Sequence, residues 1–305
     1  MTTQRRFQPP GGGPPPPQFR RGQLNTFQTP DTAGRVASAL HAVGNQIALV
    51  PTMGALHAGH RELLRRAKRL QGAVVAASIF VNPLQFGEGE DFEAYPRPLE
   101  RDLAALGEIG AELAFVPKTE DLYGEGHAVT VNPGPLGDQL EGTARPGHFA
   151  GMLTVVAKLF NILRPEYALF GEKDYQQLVL IKRMVADLNM PTKVIGVPTV
   201  REPDGLALSS RNVYLSDEQR ADAVALSAAL SAGAHAGPRG AEAVLGAARE
   251  TLAARPSIAV DYLELRGTDL GPAPVDGEAR LLVAAKVGKT RLIDNAAVLL
   301  GPAGE

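Results

Sequence analysis

The chain of 305 residues contains no cysteine, which excludes a disulfide framework, thiolate catalysis, an iron–sulfur cluster and a thiolate zinc site. It also lacks an excess of either charge. With 31 Lys and Arg against 33 Asp and Glu, no bulk field calls for nucleic acid or an anionic membrane as partner. Long apolar runs are missing too, because Gly, Pro or charge interrupts each one, so no membrane span is expected. The arginines near the start have no apolar stretch behind them, unlike a secretory signal. No internal repeat is present. What is there, 44% hydrophobic and 21% charged residues, suits a soluble globular protein. Its length suggests about two domains. A cytoplasmic location is the expectation.

Residues 1–22 stand apart, with ten Gly or Pro and four arginines but no acid. Such a segment buries too little apolar surface to offset its ordering entropy, and a disordered Pro/Gly-rich tail is expected over residues 1–25. Beyond residue 31 the pattern is regular. Apolar runs at 47–50, 73–81, 113–116, 167–170 and 193–197 read as buried strands. Between them, residues 61–70, 98–110, 151–163 and 175–188 carry apolar side chains at helical spacing. Strands alternating with amphipathic helices imply an α/β domain over residues 26–199, a Rossmann-like doubly wound parallel sheet. After Val200 the texture changes. Ser216 with Gln219 forms a capping box before an Ala-rich helix, and a second helix is expected over 240–254. Strand-like stretches at 258–265, 280–287 and 291–300 then follow with no long helix between them. Residues 200–305 therefore read as a smaller α+β domain placed as a lid.

Ligands of doubly wound sheets bind beyond the carboxyl ends of the strands, so the turns there carry the chemistry. In PTMGALHAGH (51–60), His57 and His60 stand three apart at a helix start, where free N–H groups and the dipole favour an anion. Gly54 and Gly59 allow close backbone approach. A solvated surface pair and a zinc site are the competing readings, and zinc lacks a third ligand nearby and the HExxH pattern. In SIFVNPLQF (78–86), Asn82 and Gln85 offer uncharged donors and acceptors, suited to a hydroxyl or carboxylate unless they merely cap a turn. GEKDYQQ (171–177) supplies Lys173 for phosphates, Asp174 as a helix cap or nucleotide contact, and Gln177 one turn in. LSSRN (208–212) brings two hydroxyls and a guanidinium to a hinge-side loop able to close over a triphosphate.

The His-x-Gly-His turn after a strand resembles the signature of the HxGH nucleotidylyltransferase superfamily. Taken in order with SIFVNPLQF, GEKDYQQL and LSSRN, and with the further stretches HFAGMLTVVAKLFNILRP and DNAAVLL, it resembles the pantothenate synthetase (pantoate–β-alanine ligase) family from about residue 26 to 300. The resemblance implies ATP- and Mg²⁺-dependent condensation of (R)-pantoate with β-alanine through pantoyl adenylate, in a homodimer. It implies an ATP site built from Met53, Gly54, Ala55, Leu56, His57, Ala58, Gly59 and His60, with His60 as proton donor. Gly171, Glu172, Lys173 and Asp174, Val200, and Leu208, Ser209, Ser210 and Arg211 would complete it. Gln85 and Gln177, with Asn82 beside them, would bind pantoate. Asp102 is the candidate acid for the metal, which ATP oxygens and water would mainly hold.

Three positions depart from the family pattern. Leu208 stands where Met is usual, Ala58 where an acid is frequent, and Arg101 precedes Asp102 where relatives often carry an acid pair. Gly288-Lys289-Thr290 ends like a phosphate-binding loop, yet Val283 occupies its first glycine position, so a hairpin turn is expected. Two other functions compete: a different adenylyl- or cytidylyltransferase, and a nucleotide sensor without chemistry. A phosphorylated substrate would call for Arg or Lys where Gln85 and Gln177 stand, which disfavours the first.

Overall fold

Two of the expected strands are apolar at nearly every position, because each faces a helical layer on both sides. The computed structural model describes residues 18–301 apart from 88, 89, 91, 125, 127 and 128. In chain order the first domain holds β1 (Asn25–Phe27), α1 (Pro30–Ala42), β2 (Gln46–Thr52), α2 (Ala58–Lys68) and β3 (Ala73–Ile79). Next come α3 (Leu99–Ile109), β4 (Leu113–Phe115), α4 (Thr119–Tyr123), α5 (Glu141–Ala144) and α6 (His148–Leu163). The domain ends with β5 (Tyr167–Gly171), α7 (Tyr175–Asp187) and β6 (Lys193–Val197).

The six strands form one parallel sheet in the order β1-β4-β3-β2-β5-β6. Ile47 and Leu49 of β2 join the layer of α1, α6 and α7, whereas Ala48 and Val50 join that of α2 and α3. This is the period-two alternation of a strand covered on both faces. The chain winds outward from β2 to β3 and β4, then returns to lay β5 on the other side of β2. The reversal opens a crevice at the carboxyl ends of β2 and β5.

The second domain holds α8 (Asp217–His235), α9 (Ala241–Ala253) and the antiparallel strands β7 (Ile258–Gly267), β8 (Gly277–Val287) and β9 (Thr290–Leu300). Ser216 and Gln219 close the expected capping box at α8, with bonds of 3.2 and 3.1 Å. Gly288 and Lys289 form the β8–β9 hairpin turn between the paired Val287 and Thr290. Both helices pack on one face of this sheet. The other face turns inward, where Leu282 and Tyr262 join the core of the first domain. Residues from Val200 to Arg220 contribute one wall of the crevice. Among the described residues, no helix is long and apolar enough to cross a membrane.

The expected tail needs correction at its end. Residues 1–17 lie outside the described residues, but 18–25 are docked. The Glu112 carboxylate accepts the Gly22 N–H at 2.8 Å and pairs with Arg21 at 2.9 Å, and Phe19 packs on the core. Asn25–Phe27 then adds an edge strand alongside β4 that three mostly polar residues did not announce.

One close approach ties the fold to the site. Gly151 in α6 lies against the turn Pro83–Gln85, where an added Cβ would stand only 2.0 Å from the Leu84 carbonyl oxygen. Gly151→Ala should therefore lower stability by about 1–3 kcal/mol through overpacking. Urea unfolding that shows no change would refute this account of the contact.

Candidate active site

The crevice forms a cavity of about 790 Å³, and a neighbouring chamber of about 480 Å³ shares part of its wall. His57, at the end of the β2 turn, is the N-cap of α2, and its Nδ1 accepts the Gly59 N–H at 3.1 Å. His60 Nδ1 accepts the His57 N–H at 3.3 Å. Each ring thus carries its proton on Nε2 when neutral, leaving an N–H donor for a ligand. The ring centroids are 4.1 Å apart. Burial, then the nearby Lys173 ammonium, lowers the pKa of His57. Burial first and His57 second push His60 down to about 3. Near pH 7 the free site therefore presents two neutral imidazoles beside Lys173.

The bend before these histidines needs help, because Ala55 adopts φ +50°, a left-handed conformation disfavoured by a Cβ. Asp102, buried on α3, receives the Ala55 and Leu56 N–H groups at 2.8 Å each. An added Cβ at Gly54 would come within 2.9 Å of the same carboxylate. Asp102 thus clamps the turn with both oxygens. The candidate acid for the metal has both oxygens engaged by main-chain N–H groups, while the residue still lines the cavity.

Gln85 is held just as firmly. Its Nε2 donates to Met53 Sδ at 3.0 Å, and its Oε1 accepts from Asn82 Nδ2 at 3.1 Å. Asn82 is buried behind it, bound also to the Gly151 carbonyl and the Tyr123 hydroxyl, and does not line the cavity. The amide capping a turn, weighed above for Asn82, is realised: its Oδ1 accepts the Leu84 N–H at 3.3 Å. Met53, Gln85, Lys173, Asp174 and Gln177 do line the cavity, as do Gly171 and Val200. Ser209, Ser210 and Arg211 close one side. Leu208 donates its N–H to the Val200 carbonyl at 2.9 Å, so its main chain is anchored although Met is absent. Ala55, Leu56 and Gly59 also reach the wall, whereas Gly54 and Ala58 do not.

Glu172 departs from expectation. Its carboxylate pairs with Arg280 of β8 at 3.0 Å and is not part of the cavity wall. Asp174 sits at the N-cap of α7 without a side-chain cap bond, and its carboxylate lies 3.8 Å from Lys173 Nζ.

Three of the wall residues that escaped the sequence reading are polar groups with a bearing on Gln85 or on the cavity itself. Arg145 forks onto Glu90 with bonds of 2.6 and 2.7 Å and donates to His148 Nε2 at 3.2 Å. His148 Nδ1 in turn donates to the Gln85 carbonyl at 2.8 Å. Burial, then Arg145, lowers the pKa of His148, in keeping with a neutral ring that both donates and accepts. The third is Thr199, whose buried hydroxyl has no partner among the described residues. HFAGM itself, which begins with His148, and the ARPG run before it, which holds Arg145, were the available signal. Nothing local marks Thr199.

A doubly wound parallel sheet whose crevice is faced by an HxGH turn, a lysine turn and a serine–arginine loop defines a nucleotide-binding protein of the HxGH class. The family model described as pantoate-beta-alanine ligase matches residues 25–297, and the chain belongs to that family. It is 64% identical over 287 residues to a pantothenate synthetase from Saccharopolyspora erythraea, covering 94% of this chain and 95% of that one. A pantothenate synthetase from Nocardia farcinica is 62% identical, with 93% and 89% covered. The solved pantothenate synthetase from Thermus thermophilus superposes with a TM-score of 0.82 at 47% identity, over 90% of this chain and 99% of that one. A pantoate-beta-alanine ligase from Francisella tularensis, complexed with beta-gamma ATP and beta-alanine, gives a TM-score of 0.74 at 35% identity, over 90% and 97% of the two chains.

The buried imidazole has a consequence for stability. The unfolded His60 ring takes a proton near pH 6.5, whereas the folded ring stays neutral down to about 3. Between these values the unfolded chain binds the extra proton, so stability rises with pH through that window and falls on acidification. His60→Gln removes this contribution. Melting measured at pH 7 and pH 4.5 should show a smaller acid loss in the variant, and equal losses would contradict the buried neutral ring.

Proposed function

We propose that the chain condenses (R)-pantoate with β-alanine at the expense of ATP, through pantoyl adenylate, as a pantoate–β-alanine ligase. One observation carries the reading: His57, His60, Lys173, Gln85 and the 209–211 loop all face a single cavity. In the first step a pantoate carboxylate oxygen attacks the α-phosphorus of ATP and the bond to the β-phosphate breaks, releasing pyrophosphate. In the second the β-alanine amine attacks the activated acyl carbon, the acyl–phosphate bond breaks, and AMP leaves with pantothenate as product. A carboxylate alone is a poor acyl donor because oxide would have to depart. Adenylation supplies the leaving group.

The protein is then asked for position and charge matching rather than a covalent nucleophile. Gln85 and Gln177 would hydrogen-bond pantoate, and Gln85, fixed by Met53 and Asn82, can offer its remaining N–H without reorganising. Lys173, with Ser209, Ser210 and Arg211, would meet the phosphates, and Asp174 the ribose. Val200 and Gly171 would border the nucleoside.

His57 and His60 would donate Nε2–H bonds to phosphate oxygens. A polyanion on these rings favours their charged forms, and a proton taken up by His60 in this way would be available as pyrophosphate leaves. Among the described residues no three acids or histidines gather as a metal cage. The Mg²⁺ that accompanies ATP would accordingly sit on phosphate oxygens and water, offsetting their charge. A homodimer belongs to the same reading, on resemblance alone.

The deciding experiment is a coupled pyrophosphate assay with ATP, with and without pantoate and β-alanine. Pyrophosphate should appear only when pantoate is present, and AMP should accumulate with pantothenate once β-alanine is added. A stable dinucleotide product would favour a nucleotidylyltransferase, and no product a sensor. His60→Ala should slow adenylate formation by about a hundredfold or more, the scale of losing one transition-state donor. An unaltered first half-reaction would remove His60 from the chemistry. Gln85→Ala should weaken pantoate far more than ATP. Equal losses by calorimetry would refute its assignment.

A further inference from the structure

The motif DNAAVLL lies outside the cavity chemistry described so far, yet its first two residues are among the most buried polar groups of the chain. Asn295 uses both hydrogens of its amide on the turn after β5, donating to the carbonyls of Glu172 and Lys173 at 2.9 Å each. Its Oδ1 accepts from Arg280 Nε at 2.7 Å. Arg280 also binds the Glu172 carboxylate and lies 4.1 Å over the Tyr175 ring. The main chain on both sides of Lys173 is thus gripped from the second domain, while the lysine side chain faces the cavity.

Asp294 points to the other side of β9, as neighbouring strand residues do. Its carboxylate forks onto Arg201 with bonds of 2.6 and 3.0 Å. Arg201 follows Val200, binds the Gly205 carbonyl, and bridges to Ala207 just before the Leu208 loop. The 200–211 loop has local bonds of its own, among them the Leu208 N–H to the Val200 carbonyl and the Arg211 N–H to Ser209 Oγ, whereas the lysine turn has few. The Glu172–Asp174 turn has no side-chain cap, and Lys173 pairs only loosely with Asp174 at 3.8 Å.

We infer that Asp294 and Asn295 are positioning residues of the reaction: side by side on one strand, they set the Lys173 turn and the 200–211 loop at a fixed separation around the triphosphate. The inference rests on the ligase reading and deepens it. A buried amide with all its donors used enforces one geometry. A displacement of about 1 Å at a reacting group costs on the order of a hundredfold in rate.

Asn295→Asp in the full-length protein keeps the size and the acceptor for Arg280 but loses both donors to the turn. It should raise the KM for ATP and lower kcat for pantoate-dependent pyrophosphate release, about tenfold or more together. The KM for pantoate should change less than that for ATP, because Gln85 is held by Asn82 and Met53 and Gln177 lies within α7, past the turn. In a Lys173→Ala background the same change should cost almost nothing further, since the residue acts through Lys173. Unchanged ATP kinetics, or an equal loss in both backgrounds, would overturn the inference. Should Asn295→Asp fold poorly, Asp294→Asn provides the second arm and should raise the KM for ATP with pantoate unaffected. Unchanged ATP kinetics in that variant would overturn the role of Asp294. A wild-type protein that binds ATP but releases no pyrophosphate would count against the ligase reaction alone. The brace would then be read from ATP affinity by calorimetry, which Asn295→Asp should weaken about tenfold and which, if unchanged, would refute it.

Discussion

Two neighbouring strands, β2 and β5, run in the same direction and release the chain at the same edge of the sheet. Everything at the site depends on that pairing. It carries the histidine turn and the lysine turn, more than a hundred residues apart in sequence, into one crevice. The reversal of strand order at this point leaves the crevice open, because no connection crosses over it. A lysine, two imidazoles and the Gln85 amide are then brought together by turns whose positions the sheet already determines.

The polar groups in that crevice are set by bonds that do not involve a ligand. His57 and His60 accept main-chain N–H bonds, Asp102 holds the strained bend before them, and Asn82 fixes Gln85. Donors fixed in advance have little reorganisation to undergo when charge moves, which is the physical basis of electrostatic catalysis in a partly dry site. The same burial that fixes the imidazoles also strips them of charge in the free protein. Positive charge in the wall therefore comes from Lys173 and the arginines around it, Arg211 among them, and the rings respond to whatever anion arrives.

Local patterns made a large part of this legible. Runs of buried residues disclosed β2 to β6, the Ser216–Gln219 pair disclosed the start of α8, and Gly288 disclosed the final hairpin. The turns bearing His57, Gln85, Lys173 and Arg211 could be singled out because strand–turn–helix order says where ligands bind. What escaped depends on distant partners. Glu172 reads as part of the ATP turn next to Lys173 until Arg280, 108 residues later, claims it. Asn82 and Gln85 look equivalent in sequence, yet Tyr123 and Gly151 bury one and leave the other at the wall. Residues 18–24 look like tail because nothing in their own composition reveals the Glu112 carboxylate waiting for them. Hydrophobic periodicity reports which face of an element is covered, not which polar group lies across it.

The relation between the two domains follows from the same distinction. A lid hinged at the seam would be expected to meet the first domain through solvated polar groups, as transient interfaces do. Here β8 is buried on both faces, with Leu281 and Val283 toward α8 and α9 and Leu282 in the core of the first domain. Tyr262 enters that core as well and donates its hydroxyl to Glu141 at 2.9 Å, while Arg291 forks onto the same carboxylate at 2.7 and 2.8 Å. Burial, then the Glu141 charge, pushes the Tyr262 phenol well above its ordinary pKa, so the hydroxyl remains a donor to that carboxylate at any physiological pH. Separating the sheets would expose this apolar surface and break the fork together. The second domain therefore meets the first through buried apolar surface and ion-paired contacts, and its buried polar residues bond to segments that line the cavity.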